Sequence, residues 1–328
     1  MNGKIENITE KLKNYSGKNI KIMEVCGTHT SVIHKAGIRE ILSPKINLVS
    51  GPGCPVCVTD ESYIRYIEKL SEEKKIISFG DMSKLLNCQK EIVYSPFQAF
   101  EIAAENPHTD FIFVAVGFET TAPIYALMLD IISEKDIKNL QLITSVKRII
   151  PAVEYICDNE KNIDAFICPG NVCAVIGSDP FAALAEKYKK PFIVTGFSSE
   201  LILSSICKIA DMNEKDEYGV FNFYDSVVSS GGNKKALGLI EKHFEISDGI
   251  FRGIGVIKNS ELKIKNFDYV TDDYVKKADL NCSCTDIILG RKSPKDCPLF
   301  GEVCTPLKPV GPCMVSSEGA CHILIGIA

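Results

Sequence analysis

The sequence lacks long apolar runs. The longest, such as FIFVAVGF, have the length of a strand, whereas a membrane-spanning helix needs about 20 mostly apolar residues. The N-terminal stretch MNGKIENITEKLKNYSGKNIK also lacks the apolar core of a signal peptide. We therefore expect a soluble, cytoplasmic protein with no membrane partner.

An excess of positive charge is also lacking. The chain has 37 Lys and Arg against 42 Asp and Glu, which gives a formal net charge of −5. Nucleic-acid-binding proteins present a basic face, and this composition does not favour one. We expect no nucleic-acid partner. Internal repeats and low-complexity linkers are absent too, and 328 residues suffice for two or three globular domains.

Strand-like and helix-like patterns alternate up to about residue 245. Eight β-branched or aromatic runs, from NIKIMEV to PFIVTGF, are separated by amphipathic stretches. This alternation predicts α/β structure with parallel sheets covered by helices. We expect two such domains that face a cleft, at residues 1–122 and 123–245. Residues 246–328 hold short antiparallel strands and six cysteines, and we expect them to form a small metal-organised domain.

The unusual residues follow the predicted strands. The turns CGTHT, GPGCPVC, GFETTAP, CPGN and TGFSSE each come directly after a strand-like run. Open α/β sheets bind ligands in the crevice at the carboxyl ends of their strands. We therefore expect these five turns to line one shared cleft.

Cys54 and Cys57 lie two residues apart, on a turn too rich in Gly and Pro to be helical. A C-x-x-C pair just before a helix, here expected near Thr59 and Asp60, is typical of dithiol redox motifs. The pair could close a disulfide or supply two thiolate ligands. Simple packing of two small side chains is the alternative.

Cys26 and His29 are spaced C-x-x-H at a strand end. A helix beginning there would lower the pKa of the Cys26 thiol and make it a better ligand or nucleophile. Thiolate and imidazole together suit iron or zinc. A single C-x-x-H is nevertheless a weak signal, and packing is the competing interpretation.

The turn GFETTAP contributes Glu119, Thr120 and Thr121. A carboxylate and two hydroxyls at a strand end could orient a ligand or carry a proton. They could equally cap the helix expected to start at Pro123. The sequence does not decide between these roles.

The C-terminal cysteines carry the most specific signal. Four thiolates on irregular backbone are what a [4Fe-4S] cluster needs, and four cysteines with the spacing C-x12-C-x6-C-x16-C are predicted to bind it: Cys284, Cys297, Cys304 and Cys321. Cys282 could replace Cys284, and Cys313 could replace Cys321. A zinc site of four thiolates is the structural alternative.

Together these motifs resemble the HypD family of [NiFe]-hydrogenase maturation proteins. The resemblance runs from MEVCGTHT through GPGCPVC, FGDM, VYSP, VGFETTAP and FRGIG to CPLFGEVCTP and GPCMVSSEGAC, and it covers most of the chain. It implies two α/β domains and a cluster domain. It also implies a scaffold on which iron acquires cyanide and carbon monoxide, in complex with a small HypC-type chaperone and a HypE-type protein that delivers cyanide.

The resemblance further implies roles for single residues. Cys26 would ligate the iron together with a partner's cysteine, and His29 would lie beside that iron. Cys54 and Cys57 would cycle between dithiol and disulfide. Three residues would line the same cleft, Glu119, Thr120 and Thr121, and the C-terminal [4Fe-4S] cluster would relay electrons.

The chain departs from the family pattern at several places, among them the following three. Asn171 stands where the family has histidine, Ser198 stands in place of glutamate, and the segment after Met82 is short. These changes bear on partner contacts more than on the cysteines. Two other functions stay open: a cluster-linked thiol-disulfide oxidoreductase, which needs no Cys26, and a zinc-stabilised binding module.

Overall fold

Two β-sheets form the framework of the molecule in a computed structural model, which describes residues 2–267 and 281–326. The sheets are mostly parallel and alternate with helices along the chain, and a cysteine-rich region follows them. The predicted α/β fold class is confirmed. In the part of the chain that the structure describes, no helix is long and apolar enough to cross a membrane.

The first sheet has five strands, all parallel. In spatial order they are β2 (Ile46–Ser50), β1 (Ile20–Glu24), β7 (Ala165–Pro169), β8 (Pro191–Thr195) and β9 (Gly219–Asn222). β9 was not among the eight runs that the sequence predicts.

The second sheet has six strands. In spatial order they are β10 (Phe244–Phe251), β11 (Gly255–Ile264), β6 (Leu140–Lys147), β5 (Phe111–Gly117), β3 (Lys75–Phe79) and β4 (Lys90–Val93). The pairs from β6 to β4 are parallel, whereas the β10–β11 hairpin is antiparallel and joins the edge of β6.

Helices connect and cover these strands. Those before residue 150 are α1 (Asn2–Lys13), α2 (Gly27–Lys35), α3 (Ile38–Ile41), α4 (Pro55–Val58), α5 (Glu61–Leu70), α6 (Gln98–Glu105), α7 (Ala122–Glu134) and α8 (Ile149–Asn159). Those that follow are α9 (Gly170–Ile176), α10 (Asp179–Tyr188), α11 (Ser199–Glu214), α12 (Lys234–His243), α13 (Cys284–Ile288), α14 (Pro312–Val315) and α15 (Ala320–Ile325). Two 3₁₀ helices span Gly80–Leu85 and Pro294–Asp296.

The sheets do not follow the boundaries predicted after residues 122 and 245. The first boundary falls between β5 and β6, which pair along their whole length, and the second falls inside β10. The chain crosses from the first sheet to the second after β2 and returns after β6. Sequence patterns locate strands but do not say which sheet each one joins.

Each sheet buries both faces, as the near-continuous apolar character of its strands requires. In the first sheet Ile22 and Ile193 pack toward α1 and α11, whereas Phe166 and Phe192 stack on the opposite face at 4.8 Å between ring centroids. The helices therefore lie on the sheet faces, and the strand ends stay available for a site.

A buried ion pair attaches the β10–β11 hairpin to the second sheet. Lys147, the last residue of β6, lies opposite Glu261 of β11, and Lys147 Nζ is 3.0 Å from Glu261 Oε2. Their side chains are only 2% and 9% exposed. The Lys147 ammonium also lies 5.7 Å from the centre of the Phe251 ring.

We expect Lys147→Met to lower the free energy of unfolding by about 3 kcal/mol or more, because the Glu261 carboxylate would stay buried without its counter-charge. Replacing both partners, as Lys147→Met with Glu261→Leu, should recover most of the loss. Urea unfolding of the three proteins measures this. If the double variant lost as much unfolding free energy as Lys147→Met, the unpaired Glu261 carboxylate would not be the cause, and the loss would come from packing alone.

Candidate functional site

A cavity of about 330 Å³ lies where strands of both sheets end. Residues after β1, β2, β3, β5, β6 and β7 line it, so its walls come from the carboxyl ends of two parallel sheets. This is the edge at which α/β proteins bind ligands.

Four of the five turns singled out in the sequence contribute to this cavity. Lining residues include Cys26 from CGTHT, Gly53 from GPGCPVC, Thr120 from GFETTAP and Asn171 from CPGN. The fifth turn, TGFSSE, contacts the CGTHT turn instead, through the ring of His29. The structure therefore brings all five turns to one region of the molecule.

Cys26 lines the cavity at the N-terminus of α2. It has extended backbone and occupies the N-cap position, as expected for a strand-to-helix turn. The expected fall in its pKa is wrong: burial raises the pKa of the Cys26 thiol, and the nearby N–H groups of Thr28 and His29 and the Thr28 hydroxyl offset only part of this rise. The thiol therefore stays protonated at neutral pH until a metal or an electrophile displaces the proton.

His29 points away from the cavity toward the turn after β8. Its Nε2 lies 3.1 Å from the carbonyl oxygen of Gly196, and its ring stacks on Phe197 with centroids 4.8 Å apart. Burial lowers the pKa of His29 to about 4, so the ring is neutral at pH 7 and Nε2 donates to Gly196. Nδ1 is buried without a partner. These contacts fix the start of α2 on the first sheet, and His29 is not among the cavity-lining residues.

The C-terminal segment closes one side of the cavity, which the sequence did not indicate. Asp81 Oδ2 accepts hydrogen bonds from the backbone N–H and the hydroxyl of Ser317, each at 2.6 Å. Gly27 lies so close to this segment that an added Cβ would be 2.3 Å from the carbonyl oxygen of Glu318. Asp81 and Glu318 therefore place two carboxyl groups at the cavity that holds Cys26.

Cys54 and Cys57 form a disulfide. Cys54 caps α4, where its sulfur accepts the backbone N–H of Cys57 at 3.2 Å. Asp60 then caps α5 by accepting from the N–H of Ser62 at 2.6 Å. Both cysteines are buried, and the turn between them and the neighbouring Gly53 face the Cys26 cavity.

A second cavity, of about 280 Å³, lies on the other side of this disulfide. Cys57 lines it together with Cys282 and Cys284. The sulfur of Cys57 is 3.8 Å from the carbonyl oxygen of Pro312, and an added Cβ on Gly311 would lie 2.5 Å from Cys284 Sγ and 2.6 Å from Cys282 Sγ. The Gly311–Pro312 turn therefore connects the disulfide to the C-terminal thiols.

Several of the C-terminal thiols contact one another. Cys284 contacts Cys282, Cys313 and Cys321; the first two contacts lower the pKa of Cys284 and outweigh the contact with Cys321 and burial, which raise it. Cys304 is held separately by the N–H of Val310, which lies 3.3 Å from its sulfur. All six cysteines belong to one region, and its four-ligand set stays a prediction.

The donor chemistry of this region fits a [4Fe-4S] cluster. Its six candidate ligands are all thiols, on short helices and irregular backbone, and four are buried: Cys297, Cys304, Cys313 and Cys321. Within residues 2–267 and 281–326, no three His, Cys, Asp or Glu side chains converge on the position of a single ion. A cubane cluster takes one thiolate on each of four irons, so its ligands do not have to converge.

Glu119 and the two threonines that follow it, Thr120 and Thr121, lie in different environments. The buried Glu119 carboxylate caps α8, accepting the N–H of Ile149 at 3.0 and 3.2 Å. Thr121 stands at the N-cap of α7, where its hydroxyl donates to the carbonyl of Phe118 at 3.1 Å rather than capping the helix. Thr120 and Thr121 line the cavity.

Comparison with known proteins identifies the family of this chain. The family model described as "HypD: Hydrogenase formation hypA family" matches residues 2–327. The chain belongs to the HypD family. A Methanocaldococcus jannaschii protein named for hydrogenase expression/formation is 38% identical to it, covering 98% of this chain and 94% of that protein. The hydrogenase maturation factor HypD of Escherichia coli is 32% identical, covering 97% of this chain and 92% of that protein.

The departures from the HypD pattern fall at identifiable places in the fold. Asn171 lines the Cys26 cavity, and the shortened segment follows Met82, another lining residue. Ser198 caps α11, where its hydroxyl accepts the N–H of Leu201 at 3.3 Å. Asn171 therefore changes the cavity wall, whereas Ser198 serves the local helix.

Glu119 predicts a pH dependence of stability. Burial raises the pKa of Glu119 from the ordinary 4.5 to about 7. The contribution of the protonated side chain to the free energy of unfolding is therefore fully present below pH 4.5 and is lost as the pH rises through 7. We expect the wild type to lose about 3 kcal/mol of unfolding free energy relative to Glu119→Gln over this range. The Gln amide oxygen can still accept from Ile149. Urea unfolding of both proteins at pH 5 and pH 8 tests this, and a constant difference between them would contradict it.

Proposed function

We propose that this chain is an iron-binding scaffold on which the Fe(CN)2CO unit of the [NiFe] site is assembled. Its membership of the HypD family supports the broader role in hydrogenase maturation. The observation that carries the finer proposal is the position of Cys26, a single thiol in a cavity between two sheet edges, close to the separate, buried Cys54–Cys57 disulfide.

Cys26 is the proposed ligand of the iron, which is cargo rather than a resident cofactor. Its thiol has a raised pKa, so binding of iron displaces the proton and is favoured by higher pH. Because this chain would supply only one thiolate, the other coordination positions of the iron would stay open for cyanide, carbon monoxide and a cysteine of a HypC-type chaperone. His29 supports the ligand by fixing α2, through Gly196 and Phe197.

Cys54 and Cys57 are the proposed redox pair. When cyanide arrives on a carrier thiol of a HypE-type protein, its release as an anion takes two electrons. The reduced pair can supply them by closing its disulfide: the S–CN bond breaks, the S–S bond forms, the carrier thiol keeps one proton and one is released. The pair lies between the Cys26 cavity and the C-terminal thiols, which suits this role.

The C-terminal thiols would hold the [4Fe-4S] cluster, with the ligand set predicted from spacing. When bound, such a cluster supplies electrons one at a time. The Cys57 sulfur lies beside the Gly311–Pro312 turn, which also contacts the C-terminal thiols. A cluster held there could therefore supply the electrons that reduce the disulfide.

A thiol-disulfide oxidoreductase is the second candidate function. Cys57 shares a cavity with Cys282 and Cys284, and this arrangement favours the oxidoreductase function. Thiol–disulfide exchange requires an attacking thiol close to a disulfide sulfur. That function requires no iron at Cys26. The two candidates therefore differ in their dependence on Cys26.

We expect Cys26→Ser to abolish the infrared bands of iron-bound cyanide and carbon monoxide. The hydroxyl is a poor ligand for low-spin iron, and no other described cysteine lines that cavity. The measurement is an infrared spectrum of the anaerobically purified protein after co-expression with the HypC-type and HypE-type partners. Cys207→Ser, in α11 and outside the cavity, is the matched control and should keep the bands.

Bands that persist in Cys26→Ser would remove this residue from the iron site. Absence of bands in the wild type, with partners co-purifying and the cluster present, would favour the oxidoreductase.

We expect Gly311→Ala to reduce the iron and acid-labile sulfide content at least twofold, because its Cβ would collide with the sulfurs of Cys284 and Cys282. Gly238→Ala is the control, since its Cβ would meet no atom within 4 Å. The measurement is the iron and acid-labile sulfide content of the anaerobically purified proteins. An unchanged content in Gly311→Ala would place the cluster away from Cys282 and Cys284.

A further inference from the structure

One short segment of the chain takes part in two sites. Residues 316–319, which we call the strap, follow α14 and precede α15. Because α14 carries Cys313 and α15 carries Cys321, the strap joins two of the six C-terminal thiols. Its first three residues also line the Cys26 cavity.

The strap and its two flanking helices form a tight unit. The N–H of Gly319 donates to the carbonyl oxygen of Ser316 at 2.9 Å, and a Cβ added to Gly319 would be 2.2 Å from the carbonyl oxygen of Cys313. His322 Nδ1 lies 2.9 Å from the carbonyl oxygen of Met314, a contact between α15 and α14. A shift of either helix would therefore move the strap.

Contacts with two turns of the sheets hold the strap against the cavity. Asp81, in the 3₁₀ helix after β3, accepts hydrogen bonds from the N–H and the hydroxyl of Ser317. The carbonyl oxygen of Glu318 lies against Gly27, at the start of α2. Ser317 and Glu318 are exposed, and contacts at the surface can open locally without unfolding of the sheets.

A cluster would restrain the strap from its other side. A [4Fe-4S] cluster bonds to a thiolate on each of its irons, so it fixes the backbone that carries each ligand. Cys321 belongs to the ligand set predicted from spacing, and Cys313 is the alternative. Since the strap lies between these two cysteines, it is attached to the cluster with either choice.

We propose that the strap couples filling of the cluster site to closure of the Cys26 cavity, with the Asp81–Ser317 contact as its latch. This inference rests on the [4Fe-4S] cluster of the function proposed above. The cavity would be closed in a chain that holds its cluster, and the strap would leave Asp81 more often in a chain without it. Iron at Cys26 would then be enclosed only where the source of electrons is in place.

A coupling of this kind is reciprocal, because each site changes the same equilibrium between a closed and an open strap. A closed cavity therefore also favours retention of the cluster. The latch is the part of the device that can be removed without changing any thiol, since Asp81 lies on the second sheet and outside the C-terminal region.

The test measures the rate at which N-ethylmaleimide alkylates Cys26, by mass spectrometry of the peptide that contains it. Four anaerobically purified proteins are compared: the wild type, Cys304→Ser, Asp81→Ala and the double variant. Cys304→Ser removes a predicted cluster ligand outside the strap, and iron and sulfide analysis confirms the loss. Cys297→Ser serves the same purpose if Cys304→Ser keeps its cluster.

We expect loss of the cluster to accelerate alkylation of Cys26 about fivefold or more when Asp81 is present. It should have almost no effect in the Asp81→Ala background, because that strap is already free. The removed carboxylate also changes the charge near Cys26, but this effect is common to both proteins of a pair and cancels in the ratio. Asp136→Ala, at the exposed end of α7, is the matched control and should behave as the wild type does.

An equal acceleration in both backgrounds, or none in either, overturns the coupling and leaves the cluster itself in place. Should Asp81→Ala not accumulate, Ser317→Ala removes one of the two hydrogen bonds of the latch and should diminish the acceleration; an undiminished one contradicts the inference. A wild type that contains neither iron nor acid-labile sulfide would refute the proposed cluster, and the coupling with it.

Discussion

The site depends on close packing of the segment from residue 311 to residue 319 against the turns that follow the strands. Gly27, in the turn after β1, makes this packing possible, because an added Cβ would be 2.3 Å from the carbonyl oxygen of Glu318. Two further glycines serve the packing of the segment itself: Gly311 lies against two C-terminal thiols, and a Cβ on Gly319 would be 2.2 Å from the carbonyl oxygen of Cys313. These glycines are required by close contact rather than by backbone conformation.

One consequence of this packing is that three chemical groups become neighbours. The segment closes the Cys26 cavity through the Asp81–Ser317 hydrogen bonds, and its Pro312 carbonyl lies beside the Cys57 sulfur. The disulfide therefore has the proposed iron site on one side and the C-terminal thiols on the other. This order suits a flow of electrons from the C-terminal region toward the cavity.

Burial sets the protonation of the groups around the cavity. It raises the pKa of Cys26 and Glu119 and lowers that of His29, so burial shifts each of them toward its neutral form. Asp81, which lines the cavity, differs: burial acts to raise its pKa, but hydrogen bonds from Ser317 and Lys84 outweigh burial and lower it. The Lys147–Glu261 pair is a buried contact of a different kind, in which the two side chains face each other at 3.0 Å between Nζ and Oε2.

The sequence by itself determined the strands β1 to β8, the α/β class, the position of the cysteines at strand ends and, through its motifs, the family. Periodicity and turn residues are local properties, so they can be read directly from the order of residues along the chain. Only the tertiary structure decided that β5 and β6 share a sheet across residue 122, that His29 turns toward Gly196, and that Asp81 and Glu318 reach the cavity. It also decided that burial outweighs the helix N-terminus at Cys26. These outcomes depend on contacts between residues far apart in the chain and on desolvation, and neither leaves a pattern in the sequence.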